Sequence, residues 1–484
     1  MSVVVPTIYQ VSLCEVLPLE GRGYILDGHE MRERKGMNMA QTTQPMTQGA
    51  IWKRITYFAL PILLGNLFQQ MYNTADSLIV GNFLGKNALA AVSSTGSLIF
   101  MLIGFLSGIS IGAGVVIARY YGGNKEEELR MAVHTTVAFG LVAGVVMTAV
   151  GVGLSPQILR WMDTPENVMH NSQLYLGIYF MGSLGSVMYN ICVGILQAVG
   201  DSRHPLYYLI ISSVINVTLD LFFIAVLGMG VDGAALATII AQYISAALCL
   251  WRLLRVKENY RVELRSIRFH WEMLKRVVRF GLPSGIQNSI IAIANVVVQS
   301  NINHFGDAAM AGVGAYSKIE GFGFLPITSF TMAMTTFVGQ NLGANEIDRA
   351  KRGARFGTLV SVLMAELIGV AVFALAPLLI AAFDTSPDVI AYGVEKSRTS
   401  GLFYFLLAFS HAMASILRGA GKAMVPMFVM MVCWCIIRVA FLAIAVPMTG
   451  DIQMVYWVYP LTWFLSSVTF LWHYRRMDWS RTIG

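Results

Sequence analysis

Four stretches of this chain, residues 87–118, 131–159, 171–200 and 280–305, contain no Asp, Glu, Lys or Arg. Each is longer than the roughly 20 residues a helix needs to cross a bilayer. A helix on the surface of a soluble protein carries charge along one face, so charge-free runs of this length point to helices surrounded by lipid. The rest of the 484 residues agree: 13% are charged, against about 25% in an average soluble domain. With 56% hydrophobic residues, the composition is that of an all-α polytopic membrane protein and excludes an ordinary soluble enzyme.

Apolar blocks between polar breaks predict twelve spans, at about 53–80, 88–118, 131–155, 168–198, 204–227, 232–254, 271–303, 308–340, 350–382, 390–417, 423–447 and 452–474. With the N-terminus inside, Lys and Arg gather on the even-numbered connections, as cytoplasmic loops require. Arg119, Lys125 and Arg130 follow span 2, Arg203 follows span 4, and a basic run from Arg252 to Arg279 follows span 6. Arg349 to Arg355, then Arg418 and Lys422, and finally Arg475, Arg476 and Arg481 complete the set. The outer connections receive only Lys86, Arg160, Lys396 and Arg398.

Both termini are therefore expected in the cytoplasm, with the chain in an inner or plasma membrane. The net charge of +7 belongs to the inner loops and implies no nucleic-acid partner. The predicted organisation is a tail over 1–45, an N-lobe over 46–254, a basic linker over 255–270, a C-lobe over 271–476 and a tail over 477–484. The first tail reads as disordered or as a mis-called start, with no signal-peptide pattern. The linker reads as a topology-setting loop. Cys14, Cys192, Cys249, Cys433 and Cys435 have neither zinc spacing nor disulfide density and read as packing residues.

The chain repeats itself. At an offset of 222, Arg54, Phe58, Pro61 and Asn66 meet Arg276, Phe280, Pro283 and Asn288. At 221, Gly122 and Asn124 meet Gly343 and Asn345, Pro156 meets Pro377, and Gly200 and Pro205 meet Gly421 and Pro426. The chain is two six-span halves, and an even number of spans gives them the same orientation. Parallel halves about a central cavity imply a transporter that rocks between two open states, although channels can be duplicated as well. Both halves lie in one chain, so a monomer suffices.

An ionisable group inside a span costs a few kcal/mol to insert and is a functional candidate by default. Asp76, Asp220, Lys318, Glu320, Glu366, His411 and Arg438 are of this kind. Asn216 and Asp220 are four residues apart and share a helix face, while Asn190 and Thr238 add neutral oxygens. Together with Asp76 they resemble a small-cation site for Na⁺ or a proton. The corresponding positions of the second half are Val298, Ile437, Phe441 and Tyr459, so the scaffold does not require the polar groups. The plainer readings are that Asp76 caps a helix end and that Asp220 has a structural donor. For Glu320 the plainer reading is a partnership with Lys318 or cavity lining without coupling, for Arg438 a structural counter-ion, and for His411 and Glu366 packing or cavity lining. Glu320, His411 and Arg438 form a possible second polar site. Gln69, Gln70, Met71, Tyr72, Met181, Met188 and Tyr189 offer aromatic and thioether contacts for flat cations, or simple packing. Pro61 and Pro283 permit kinks in spans 1 and 7.

Other chemistries find little support. The GAGK at Gly419 to Lys422 is too short for a phosphate-binding loop. The GxSxG pattern around Ser110 lies within a span, where Gly104, Gly108 and Gly112 have small-residue packing spacing. An intramembrane hydrolase and a lipid-linked precursor flippase are the rivals to an ion-coupled transporter that needs no cofactor.

The stretch ALPILLGNLFQQMYNTADSLIVG in span 1, the paired QAVGDSRHP (Gln197 to Pro205) and RGAGKAMVP (Arg418 to Pro426), and RYYGGN with QNLGAN resemble the multidrug and toxic compound extrusion (MATE) family over about residues 46–476. The resemblance implies a V-shaped pair of six-helix lobes. It also implies efflux of cationic amphiphilic compounds in exchange for Na⁺ or H⁺. On the branch resembling the DNA-damage-inducible and archaeal members, Asp76, Asn190, Asn216, Asp220 and Thr238 match the N-lobe cation site. Members with acids in spans 7 and 10 differ, because the charge-free stretch of span 7 from residue 280 has none and span 10 offers His411.

Overall fold

In the computed structural model, which describes residues 45–162 and 164–480, every span is helical. The expectations for residues 1–44, including Cys14, and for 481–484 lie outside the described residues. Nine described helices are long and apolar enough to cross a membrane, and two bent pairs each add one more span. The twelfth is span 1, Ile51–Leu84, long enough at 34 residues but made less apolar by Asn66, Gln69, Gln70, Asn73 and Asp76.

The sharp bends are not at the prolines. Spans 1 and 7 (Trp271–Asn303) run unbroken through Pro61 and Pro283. Span 4 instead breaks by 47° between Val168–Met181 and Ser183–Ala198, and span 10 by 55° between Pro387–Gly401 and Tyr404–Gly419. The breaks are related by the 221-residue repeat. In span 10 the Glu366 carboxylate of span 9 (Ile347–Ala381) accepts from the Phe405 N–H at 3.3 Å, supplying a partner at the new helix start. Spans 5 and 11 each contain a wider π-helical turn, Leu221–Val226 and Met431–Ile437.

The lobes join along spans 2 (Lys86–Gly122), 7 and 8 (Asp307–Gly343) because glycines let the backbones touch. A Cβ on Gly112 would stand 2.2 Å from the Gly281 Cα, and one on Gly108 2.4 Å from the Gly285 N. Toward the end that carries the basic connections, a Cβ on Gly122 would stand 2.0 Å from the Gln340 carbonyl oxygen. Gln340, fully buried, donates to the Ala198 carbonyl at 2.7 Å and accepts from the Met46 N–H at 2.8 Å. Arg119 reaches the Ala420 carbonyl at 3.4 Å. The basic end is thus sealed by hydrogen bonds between the two halves.

The basic segment 255–270 is more than a linker. Val256, Tyr260 and Val262 are buried in the core of the first lobe, so the segment folds as a strap across the start of span 3 (Glu126–Trp161). The Glu263 N–H donates to His134 Nε2 at 2.9 Å, His270 N–H to Thr135 Oγ1 at 3.2 Å, and Asn259 to Glu126 at 2.6 Å. Arg130 pairs with Glu263. Cys192, Cys249 and Cys433 are buried free thiols, as packing residues should be.

Candidate ion and substrate site

A cavity of about 540 Å³ lies in the first lobe, walled by spans 1, 2, 4, 5 (Arg203–Val226) and 6 (Val231–Arg255) and closed on one side by Met332 of span 8. Span 1 contributes Gly65, Asn66, Gln69, Tyr72, Asn73 and Asp76. Those positions recur every three or four residues, so one helix face carries them all. Pro61 lies in the same wall.

Asp76 lines this wall, and buried Asp220 lies close enough for the two carboxyl groups to act on each other. Asp220 is fully buried at the last regular turn of span 5, directly before the π-helical segment. One turn earlier, Asn216 is also buried and lines the cavity. Asp76 Oδ1, both Asp220 oxygens and both amide atoms of Asn216 have no hydrogen-bond partner. Two facing carboxylates are acceptors only, so their approach requires a proton or a metal cation between them. Thr238 lines the cavity too, its hydroxyl donating to the Ala234 carbonyl at 3.0 Å and leaving oxygen lone pairs available.

Asn190 lines the cavity but is already engaged. Its Oδ1 accepts from Ser107 at 3.1 Å and its amide donates to the Ser186 carbonyl at 2.9 Å, tying span 4 to span 2. Ser110 donates to the Asn190 carbonyl at 2.5 Å, a packing role with no base beside it.

The expected substrate residues divide by helix face. Gln69, Tyr72 and Tyr189 line the cavity, whereas Gln70, Met71, Met181 and Met188 do not. Met71 is 55% exposed on the opposite face of span 1. Met181 is exposed just before the span 4 break, and Met188 is packed in the core of the lobe. Sequence reading passed over Tyr175 and Tyr179, whose rings stack at 6.4 Å, and Gln242, whose amide reaches the Tyr179 hydroxyl at 3.5 Å. Their signal was positional: 175, 179, 186, 189, 190, 193 and 197 all line the cavity from span 4.

In the second lobe, Glu320 and Arg438 come together around Tyr316 and Tyr459, but His411 stands apart. Its ring is wedged edge-on between Phe324 at 4.8 Å and Trp434 at 5.3 Å, a packing histidine. Lys318 is exposed and makes no ion pair with Glu320 among the described residues.

A duplicated bundle of membrane spans, with a polar cavity inside one lobe and a seal between lobes at one end, defines a membrane transporter. The MatE family model matches the chain twice, over residues 61–222 and 283–444. The chain belongs to the MATE family of multi-pass membrane transporters. It is 30% identical over 394 residues to the probable multidrug resistance protein YoeA of Bacillus subtilis (strain 168), covering 79% of this chain and 84% of that one. Against the probable multidrug resistance protein NorM of Thermotoga maritima it is 26% identical over 386 residues, 78% of this chain and 82% of the relative. Its fold superposes with a TM-score of 0.84 on an outward-facing MATE-family multidrug transporter of the MOP superfamily, at 23% identity, covering 90% of this chain and 98% of that one.

Proposed function

We propose that this protein is a secondary active antiporter that exports cationic amphiphilic compounds in exchange for Na⁺ or H⁺. The observation that carries the reading is Asp76 in the wall of a cavity large enough for a small drug, with the buried carboxyl of Asp220 close beside it. Asn216 and Thr238 supply further oxygens for the coupling ion, and Tyr72, Tyr175, Tyr179 and Tyr189 supply ring faces for an organic cation. Cation and substrate compete for the same buried charge. Binding of one favours release of the other, and differential affinity between the two open states completes the cycle.

In this reading the basic end faces the cytoplasm of a plasma or inner membrane, residues 46–254 and 271–476 are the two lobes, and a monomer carries out the cycle. A flippase of lipid-linked phosphates fits the cavity less well, because its described lining contains no Lys, Arg or His. The test is ethidium efflux from proteoliposomes holding wild type or Asp220→Asn, first under a Na⁺ gradient and then under a pH gradient. Efflux driven by one gradient and lost in the variant supports the antiporter and names its ion. No cation transport under either gradient, in folded protein, overturns it.

A further inference from the structure

Lys396 was expected in an outer connection, but it lies inside the first half of span 10 and is only 3% exposed. Its Nζ has no hydrogen-bond partner and sits 3.5 Å from the centre of the Tyr459 ring, with Tyr456 at 5.5 Å and Tyr316 at 5.7 Å. Arg438, 1% exposed, lies over the same Tyr459 ring at 4.6 Å. It donates to Asn295 Oδ1 at 3.4 Å and to the Thr462 hydroxyl at 3.0 Å, and its Nε is unpartnered. The acid of the group, Glu320, accepts from the Tyr316 hydroxyl at 3.0 Å. Among the described residues, neither cation has a carboxylate oxygen within 4.0 Å.

The duplication gives this cluster its meaning. Carried back by 222 residues, Asn295 falls on Asn73; carried back by 221, Glu320, Lys396, Tyr459 and Thr462 fall on Ile99, Tyr175, Thr238 and Ala241. All five counterparts line the cavity of the first lobe. The π-helical turns repeat the theme, since one directly follows Asp220 and the other directly precedes Arg438. Such turns gather at functional sites because they free backbone groups and re-aim side chains. The second lobe therefore holds Glu320 and Lys396 at the positions of a binding cavity, with Arg438, whose counterpart Val217 does not line that cavity, beside them.

The buried Lys396 amine is ringed by aromatic faces, with Glu320 acting on it from within the cluster but no carboxylate in direct contact. A guanidinium fork next to it has the geometry that recognises planar or tetrahedral oxyanions. Asn295 is exposed and Glu320 half-buried, so the cluster reaches from the lobe surface inward through Arg438.

We propose that Lys396 and Arg438 form an anion site in the second lobe that takes a carboxylate, phosphate or sulfonate group, either borne by a substrate or as a free inorganic anion. The proposal rests on the transporter reading, and its test keeps the two apart. Purified full-length wild type, Lys396→Met, Lys396→Arg and Arg438→Gln are titrated with inorganic phosphate and with carboxyfluorescein, with melting curves run to confirm folding. The same wild-type preparation is assayed for ethidium efflux.

The expected result is saturable binding to wild type, weakened at least tenfold in Lys396→Met and Arg438→Gln and largely restored in Lys396→Arg. Saturation by carboxyfluorescein with its transport identifies a substrate group, and saturation by phosphate alone identifies a free anion. Wild type that exports ethidium but binds neither probe overturns the anion site and leaves the transporter standing. So does equal binding by all four proteins, or a Lys396→Met effect confined to the pH profile of ethidium efflux. Wild type that exports nothing under any gradient removes the transporter reading instead.

Discussion

Asp76 of span 1 and buried Asp220 of span 5 lie close enough for their carboxyl groups to act on each other, and Asn216 stands one turn from Asp220 with both amide atoms unpartnered. Without a shared proton or cation this arrangement would be held against like-charge repulsion. Asp220→Asn removes that repulsion and replaces an acceptor with a donor for Asp76. The variant is expected to lose gradient-driven efflux by at least about tenfold, a difference of roughly 1.4 kcal/mol in coupling. It is also expected to melt higher than wild type without Na⁺ at high pH, because a buried unsatisfied group costs about 1–3 kcal/mol. Calorimetry checks the second point, and a lower melting temperature would show that the pair is a structural clasp.

Neighbouring residues of span 1 offer a sharper test of the cavity. Tyr72 lines it, whereas Met71 is turned away and exposed. Tyr72→Ala should raise the KM for a flat aromatic cation by about tenfold, given about 0.5–2 kcal/mol for a cation over a ring. Met71→Ala should stay within about twofold of wild type, as a surface change does. Reversal of that order in dye-efflux kinetics would place the substrate on the other face of the helix.

The seal at the basic end predicts a conformational bias. Gly122 has its Cα against the Gln340 backbone, and an added Cβ would stand 2.0 Å from the Gln340 oxygen. Gly122→Ala should therefore separate spans 2 and 8 and favour the state open at the basic end. Single cysteines introduced at Asn66 and Gln69 should then react faster with a thiol reagent supplied from that side. Unchanged labelling would mean that the helices absorb the methyl group by a local shift.

Much of the fold could be read from the chain because lipid imposes simple rules. Charge-free lengths mark spans, and a constant offset marks the duplication. Span 1 shows the limit of hydropathy, since the polar stripe from Asn66 to Asp76 that lowers its apolarity is also the cavity wall. Facing of side chains was legible only where spacing was considered, which is why Gln69 and Tyr72 were separable in principle from Gln70 and Met71. The approach of Asp76 to Asp220 was not legible, because it depends on how two distant helices cross. Lys396 was misplaced for a related reason. A lysine beside Glu395 and Arg398 near a span end reads as a loop charge, and only the packing of Tyr316, Tyr456 and Tyr459 around it shows otherwise.

The strap over span 3 supplies the last prediction, one that concerns pH. Glu263 lies in the loop, where the Ser266 hydroxyl and then the Arg130 guanidinium hold its carboxyl below the usual carboxylate range. A carboxylate with a depressed folded-state value contributes stability that is present above its unfolded value and lost as pH falls through the folded one. The strap should remain protected from amide exchange between pH 7 and about 5, and loosen only below about 4, where free carboxylates titrate. Glu263→Gln removes the charge but leaves the backbone bond from residue 263 to His134. That variant should exchange faster across 258–268 at pH 7 and show no further step near pH 4. Hydrogen-exchange mass spectrometry of both proteins makes the comparison. A wild-type strap that loosens well above pH 5 would show that the Glu263–Arg130 pair does not set its stability.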